Sequence, residues 1–110
     1  MPAPNPMNDF KLTITQESVT ISHPSRKTES IRWDEIYEIR MINTNAGPAE
    51  PDIWLALIGK QNGCVIPHGI DGYDDVYHIV SKFPDFDFEN VIKSVTSTKN
   101  EQFQLWTRKE

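Results

Sequence analysis

The chain has one cysteine, Cys64, among 110 residues. A lone thiol cannot close an intrachain disulfide, so the fold must hold without a covalent staple. A reducing compartment, the cytoplasm, is the expected location. Long apolar runs are also missing. None approaches the roughly 20 residues that a membrane-spanning helix needs. The opening "MPAPNPMNDF" has no basic region followed by an apolar run, so no secretory leader is expected. Positive charge is scarce: 11 Lys and Arg stand against 16 Asp and Glu, a formal net charge of -5. The cations are scattered, and their one small patch is Arg26 and Lys27 with Arg32 after them. Nucleic-acid backbones require clustered cations, so nucleic acid is excluded as a partner class. An anionic membrane surface is disfavoured for the same reason. An acidic chain favours basic proteins, whose approach it steers and speeds.

Catalytic signatures are missing as well. "GKQNG" holds a Gly-Lys pair, but no Ser or Thr and no helix follows it, so it is no phosphate loop. No serine stands in a G-x-S-x-G setting. Cys64 and His68 are the residue types of a nucleophile and its base. Pro67 and Gly69 bend the chain beside His68, however, and no third residue stands ready to orient the pair. A small buried Cys and a loop His is the plainer reading. Cys64, His68 and His78 with Asp71 or Asp74 match no paired zinc-ligand spacing. "DGYDD" lacks the ligand frame of a calcium loop. No catalytic, cofactor or metal residues are expected, and the chain is read as a non-enzyme that needs no cofactor.

What is present is the composition of a globular domain. The chain is 37% hydrophobic and 25% charged, which argues against wholesale disorder. Its length fits one domain. Pro2, Pro4 and Pro6 predict a disordered lead over residues 1–8, followed by a single α+β domain over 9–110.

Period-two alternation marks strands in "FKLTIT" and "SVTIS", joined by a tight turn at "TQES". "SHPSRKTES" is expected to be a loop. "SIRWDEIYEIRMIN" predicts a strand, a corner at Asp34 and Glu35, and a second strand. "TNAGPAEP" is a loop by its Gly and Pro content. "DIWLALIGK" is apolar on both faces, as a covered interior strand would be. "GKQNG" turns the chain into "CVIP". The period then changes. Tyr73, Val76, Tyr77 and Val80 form the stripe of an amphipathic helix, with Asp71, Asp74 and Asp75 at its start and Pro84 beyond its end. A second helix is expected after Asp87 as N-cap, with Phe88, Val91, Ile92 and Val95 as its buried stripe and a Phe86–Val91 staple across the cap. "EQFQLWTRK" alternates as a last strand. The order predicts an antiparallel sheet of about six or seven strands with two helices in the C-terminal half.

The most informative polar feature is acidic. Asp71, Asp74, Asp75, Asp85, Asp87 and Glu89 stand against Lys82 alone at the starts of the two helices. Helix capping accounts for part of this, and the remainder is either a solvated face or a partner-binding surface, the second being the candidate site. Tyr73, Tyr77 and Trp106 are the candidate aromatic anchors, since aromatics anchor interfaces, and each fits a core position equally well.

The stretch from Val19 to Trp106 also carries a set of structural motifs. They are a Trp-x-x-Ile corner at Trp33 to Ile36, "DIWLAL" at Asp52 to Leu57, and Ile66-Pro67. "FPDF" at Phe83 to Phe86 and "FQLW" at Phe103 to Trp106 complete the set. In these the chain resembles small bacterial proteins with a pleckstrin-homology-like look, of the kind found beside secreted toxins as immunity partners. The resemblance implies a sheet of that form and a stoichiometric binder that neutralises a cognate protein toxin, with no catalytic residues to carry over. A membrane-surface or protein adaptor of the same form is the alternative. An edge strand such as "FKLTIT" could also pair with another chain, a route to a homodimer.

Overall fold

The computed structural model describes residues 9–44, 53–97 and 100–108. The Pro-rich lead and, apart from Thr44, the "TNAGPAEP" loop lie outside the described residues.

Strands β1 (Lys11–Ile14), β2 (Ser18–His23) and β3 (Arg26–Arg32) form one antiparallel sheet in that order. Strands β4 (Glu38–Asn43), β5 (Ile53–Ile58), β6 (Gly63–Pro67) and β7 (Glu101–Thr107) form a second, ordered β6-β5-β4-β7. The expected α+β class and seven strands are present, but in a three-stranded and a four-stranded sheet rather than one. The break falls at Trp33–Glu35, a short 3-10 turn where the sequence indicated a corner. Glu35 accepts the Arg32 backbone N–H at 2.9 Å, and the Trp33 indole N–H donates to the Thr15 carbonyl at 3.1 Å. Arg108 closes the corner from the far end of the chain. Its guanidinium donates to the carbonyls of Asp34 at 2.8 Å and Ile36 at 2.7 Å.

A further correction concerns "SHPSRKTES". Most of it is strand, not loop: His23 pairs with Arg26, and the turn is Pro24 and Ser25 alone. β3 is polar because it is mostly exposed, Ile31 being its buried residue. Its ladder with β2 satisfies the backbone without apolar side chains to signal it.

The core lies between the sheets and under the first helix. In the second sheet Leu55 stands opposite Met41 and Ile66, and Leu57 opposite Ile39 and Cys64. All of these are at most 1% exposed. The other face of β5 carries Trp54 and Ala56, also buried, so the strand is covered on both sides as expected. Helix α1 (Tyr73–Val80) buries Tyr73, Val76 and Val80, the stripe its spacing predicts. It starts from Gly72 at φ 93°, where a Cβ would also stand 3.1 Å from Leu12 Cδ1. Only glycine meets both conditions without strain.

Helix α2 (Phe88–Thr96) forms where expected, and Asp87 caps it by accepting the Asn90 N–H at 3.0 Å. Its buried face is not the expected one. Phe88, Ile92 and Val95 are 53%, 62% and 51% exposed, and Val91 is half-buried. The residue α2 buries completely is Ser94. The Ser94 hydroxyl donates to Asn43 Oδ1, and Asn43 Nδ2 returns a bond to the Ser94 carbonyl at 2.7 Å. Asn90 Nδ2 donates to the Gln104 carbonyl on β7 at 2.7 Å. Polar residues therefore seat the helix on β4 and β7. A buried amide without partners would cost far more than the net worth of the bond.

The paired groups should be energetically coupled. Asn43→Ala and Ser94→Ala are each expected to lower stability by about 1–3 kcal/mol, and the double variant by clearly less than the sum. Urea unfolding of the four proteins checks this, and additive losses would show that the pair does not act as a unit.

Candidate protein-docking face

The acidic residues singled out from the sequence are all exposed: Asp71, Asp74, Asp75, Asp85, Asp87 and Glu89. Asp71, Asp74 and Asp75 gather about the first turn of α1. Helix-end charge explains their position there. Asp85 takes the left-handed conformation at φ 65°, the one non-glycine residue to do so among the described residues. It turns a linker that is strapped onto β7. The Trp106 indole N–H donates to the Pro84 carbonyl at 2.9 Å, and the Asp87 N–H to the Leu105 carbonyl at 2.8 Å. Asp85 and Asp87 thereby line one shallow cleft of about 150 Å³ with Gln104 to Thr107 of β7.

Tyr73 has a different place. It is 4% exposed, and its hydroxyl donates to the Met41 sulfur at 3.7 Å. Burial, with smaller contributions from Tyr77 and Asp74, pushes its phenol pKa up. The ring packs in the core rather than standing out as an anchor.

The exposed large apolar side chains lie instead on α2. Among the described residues, Phe88, Ile92 and Val95 are the large hydrophobic side chains left exposed. They stand at i, i+4 and i+7, on one face of the helix. Scattered apolar exposure is ordinary, but a contiguous apolar stripe marks an interaction surface. The Phe88 ring lies 5.0 Å from Phe86, which in turn lies 6.0 Å from Tyr77. An aromatic row thus runs from the edge of the core to the surface. Asp87 and Glu89 flank Phe88 in sequence, and both are exposed. Asp87 and Glu89 thus adjoin the apolar stripe at the start of α2. The face is suited to an apolar recess edged with Lys or Arg. Periodicity found this stripe but assigned it to the core. The signal against that assignment was the presence of Asn90 and Ser94 beside it, with Asn43 at an inward position of β4.

Cys64 and His68 do not form a reactive pair. Cys64 is wholly buried, and burial, with the charge of Glu29, pushes its thiol up to about 12. His68 is exposed and packs its ring against Tyr73 at 4.9 Å. Among the described residues no three His, Cys, Asp or Glu stand close enough together to hold a metal ion.

Comparison with known proteins finds no matching protein-family model, no matching curated protein and no matching solved structure.

The burial of Cys64 makes it inert in the folded protein. Ellman's reagent at mildly alkaline pH should label it only once denaturant is added. Rapid labelling of the native protein would place the thiol at the surface and reopen a chemical role for it.

Proposed function

We propose that this chain is a non-enzymatic binding protein whose docking face is the outer side of α2, and that it acts as an immunity protein neutralising a basic toxin domain. The observation that carries the proposal is the collection of exposed large hydrophobics on one helix. The charge around that stripe selects the occupant. Asp85, Asp87 and Glu89 beside Phe88 favour a protein surface with an apolar recess and cationic edges. A second copy of this chain would bring the same carboxylates against them, at a cost of like-charge repulsion. The resemblance of the Trp33, Asp52 and Phe83 motifs to toxin-partner proteins supports the toxin as that basic surface.

A pleckstrin-homology-like form belongs to the same proposal. Seven strands in two antiparallel sheets support it. The last strand following two helices departs from that form, which closes with a single helix. The adaptor alternative draws less support. Of the cations it would offer to a membrane, Arg32 already holds Asp34 at 3.1 Å. Among the described residues no helix is long and apolar enough to cross a membrane. The cytoplasm is the proposed compartment, where a free Cys64 suits reducing conditions.

Affinity capture of the tagged chain from its native cell, with a salt series in the wash, tests the proposal when run beside Ile92→Glu and Phe88→Ser. The wild type should retain one basic partner in stoichiometric amount and release it at high salt. Each variant should keep its thermal midpoint yet lose about tenfold or more in affinity, the loss expected of an interface anchor. The partner's toxicity in the same cells should return. Variants that capture as well as the wild type, or eluates that hold only the chain itself, would contradict the reading.

A further inference from the structure

A second feature lies away from α2 and shares no residue with its outer face. A cavity of about 560 Å³ opens where the β2–β3 hairpin meets the outer face of the second sheet. That volume lies within the range of small-molecule sites. Ile42, Trp54 and Val65 form its wall on the second sheet, and Phe10, Ile21 and His23 close it from the first. Trp54 is only 8% exposed, yet it stands outside the main core cluster. The pocket is thus lined by Trp54 together with Ile21 of the core cluster and Phe10 packed against it.

Its polar groups are mainly donors. The Arg26 guanidinium stands 4.9 Å from the Trp54 ring and 5.7 Å from the Phe10 ring. Lys27 follows it in the same lining. The described ion pairs are Arg32 with Asp34 and Arg40 with Glu38, so neither Arg26 nor Lys27 is neutralised by a described carboxylate. His23 also lines the pocket, its ring 4.5 Å from Phe10. Its Nδ1 accepts the Ser25 N–H at 3.0 Å, which leaves Nε2 as the ring's donor. Past the register shift between Ile21 and His23, His23 stands opposite Arg26 in the β2–β3 ladder. Glu29 is the acidic member, and its Oε1 is already engaged by the Val65 N–H at 3.0 Å.

We infer that this pocket binds a small apolar molecule bearing a single anionic group, such as an aromatic carboxylate. The rings and aliphatic wall take the apolar body. Arg26, Lys27 and the His23 Nε2–H take the anion. Glu29 in the same lining opposes a second negative charge, which sets a monoanion apart from a polyphosphate. Arginine stacked on indole is also a preorganised anion receptor, since its planar donors keep their geometry while the face stays on the ring.

The test uses naphthoate as probe and its neutral amide as control. Both are titrated into the full chain while the indole N–H signals of Trp33, Trp54 and Trp106 are followed by NMR, with Trp54→Phe assigning the pocket signal. Naphthoate should shift the Trp54 signal saturably. Naphthamide should bind at least about tenfold more weakly. Arg26→Gln should weaken naphthoate by a similar factor, and Lys27→Gln by less, both with unchanged thermal midpoints. Four results would overturn the inference: no response at Trp54 up to the solubility of the probe, a response confined to Trp33 or Trp106, equal affinity for acid and amide, or undiminished binding by Arg26→Gln.

Discussion

Asn43 and Ser94 meet between β4 and α2 in two hydrogen bonds, the Ser94 hydroxyl donating to Asn43 Oδ1 and Asn43 Nδ2 to the Ser94 backbone carbonyl, both residues being almost wholly removed from water. On β4, Asn43 occupies the inward series that Ile39 and Met41 also occupy, so its amide faces a region otherwise apolar. Such a group must find a partner. The partner it finds is a serine on α2, and that choice sets the rotation of the whole helix. With Ser94 inward, Asn90 reaches the Gln104 carbonyl, Val91 lies at the flank, and Phe88, Ile92 and Val95 turn outward. The exposed stripe is a consequence of the buried polar pair. A helix seated by its apolar side would have left Asn43 unpaired and hidden Phe88, Ile92 and Val95.

Much of the fold was legible in the sequence, for a definite reason. Strands β1, β2, β4 and β5 and helix α1 announce themselves because one of their faces, or both, is apolar at the right period. The Asp87 cap is local chemistry within three residues, and it was found. Failures came where the deciding partner is distant. Ser94 and Asn43 are 51 residues apart, so a period of 3.6 reveals which side of α2 is apolar but not which side is covered. Division into two sheets depends on which strands pair, and alternation within a strand is silent on that. The first half of β3, Arg26 to Glu29, was read as loop because an exposed strand needs no apolar residues.

The site residues divide in the same way. The acidic positions could be named because charge near a helix start is a sequence property. Tyr73 stood both in the apolar stripe of α1 and among the anchor candidates because an aromatic at an amphipathic position suits either environment, and burial beside Met41 decides it. The Arg26 and Lys27 patch looked like a solvated loop. Its meaning depends on Trp54, which reaches it only through the packing of one sheet across the other. Charge is thus partitioned over the molecule. Carboxylates surround the helix starts, and Arg26 at the start of β3 stands over an aromatic wall. A basic protein and a small anion would be drawn to different places on one domain.

The most direct measurement of the central claim is the accessibility of individual methyl groups in the isolated chain. A soluble paramagnetic probe broadens the NMR signals of methyls that water reaches. Strong broadening is expected for Ile92 and Val95 and almost none for Val76 and Val80, which are fully buried on α1. Equal protection of all four would mean that α2 sits by its apolar side after all. The Asn43–Ser94 pair would then not set its orientation, and the docking face would not exist.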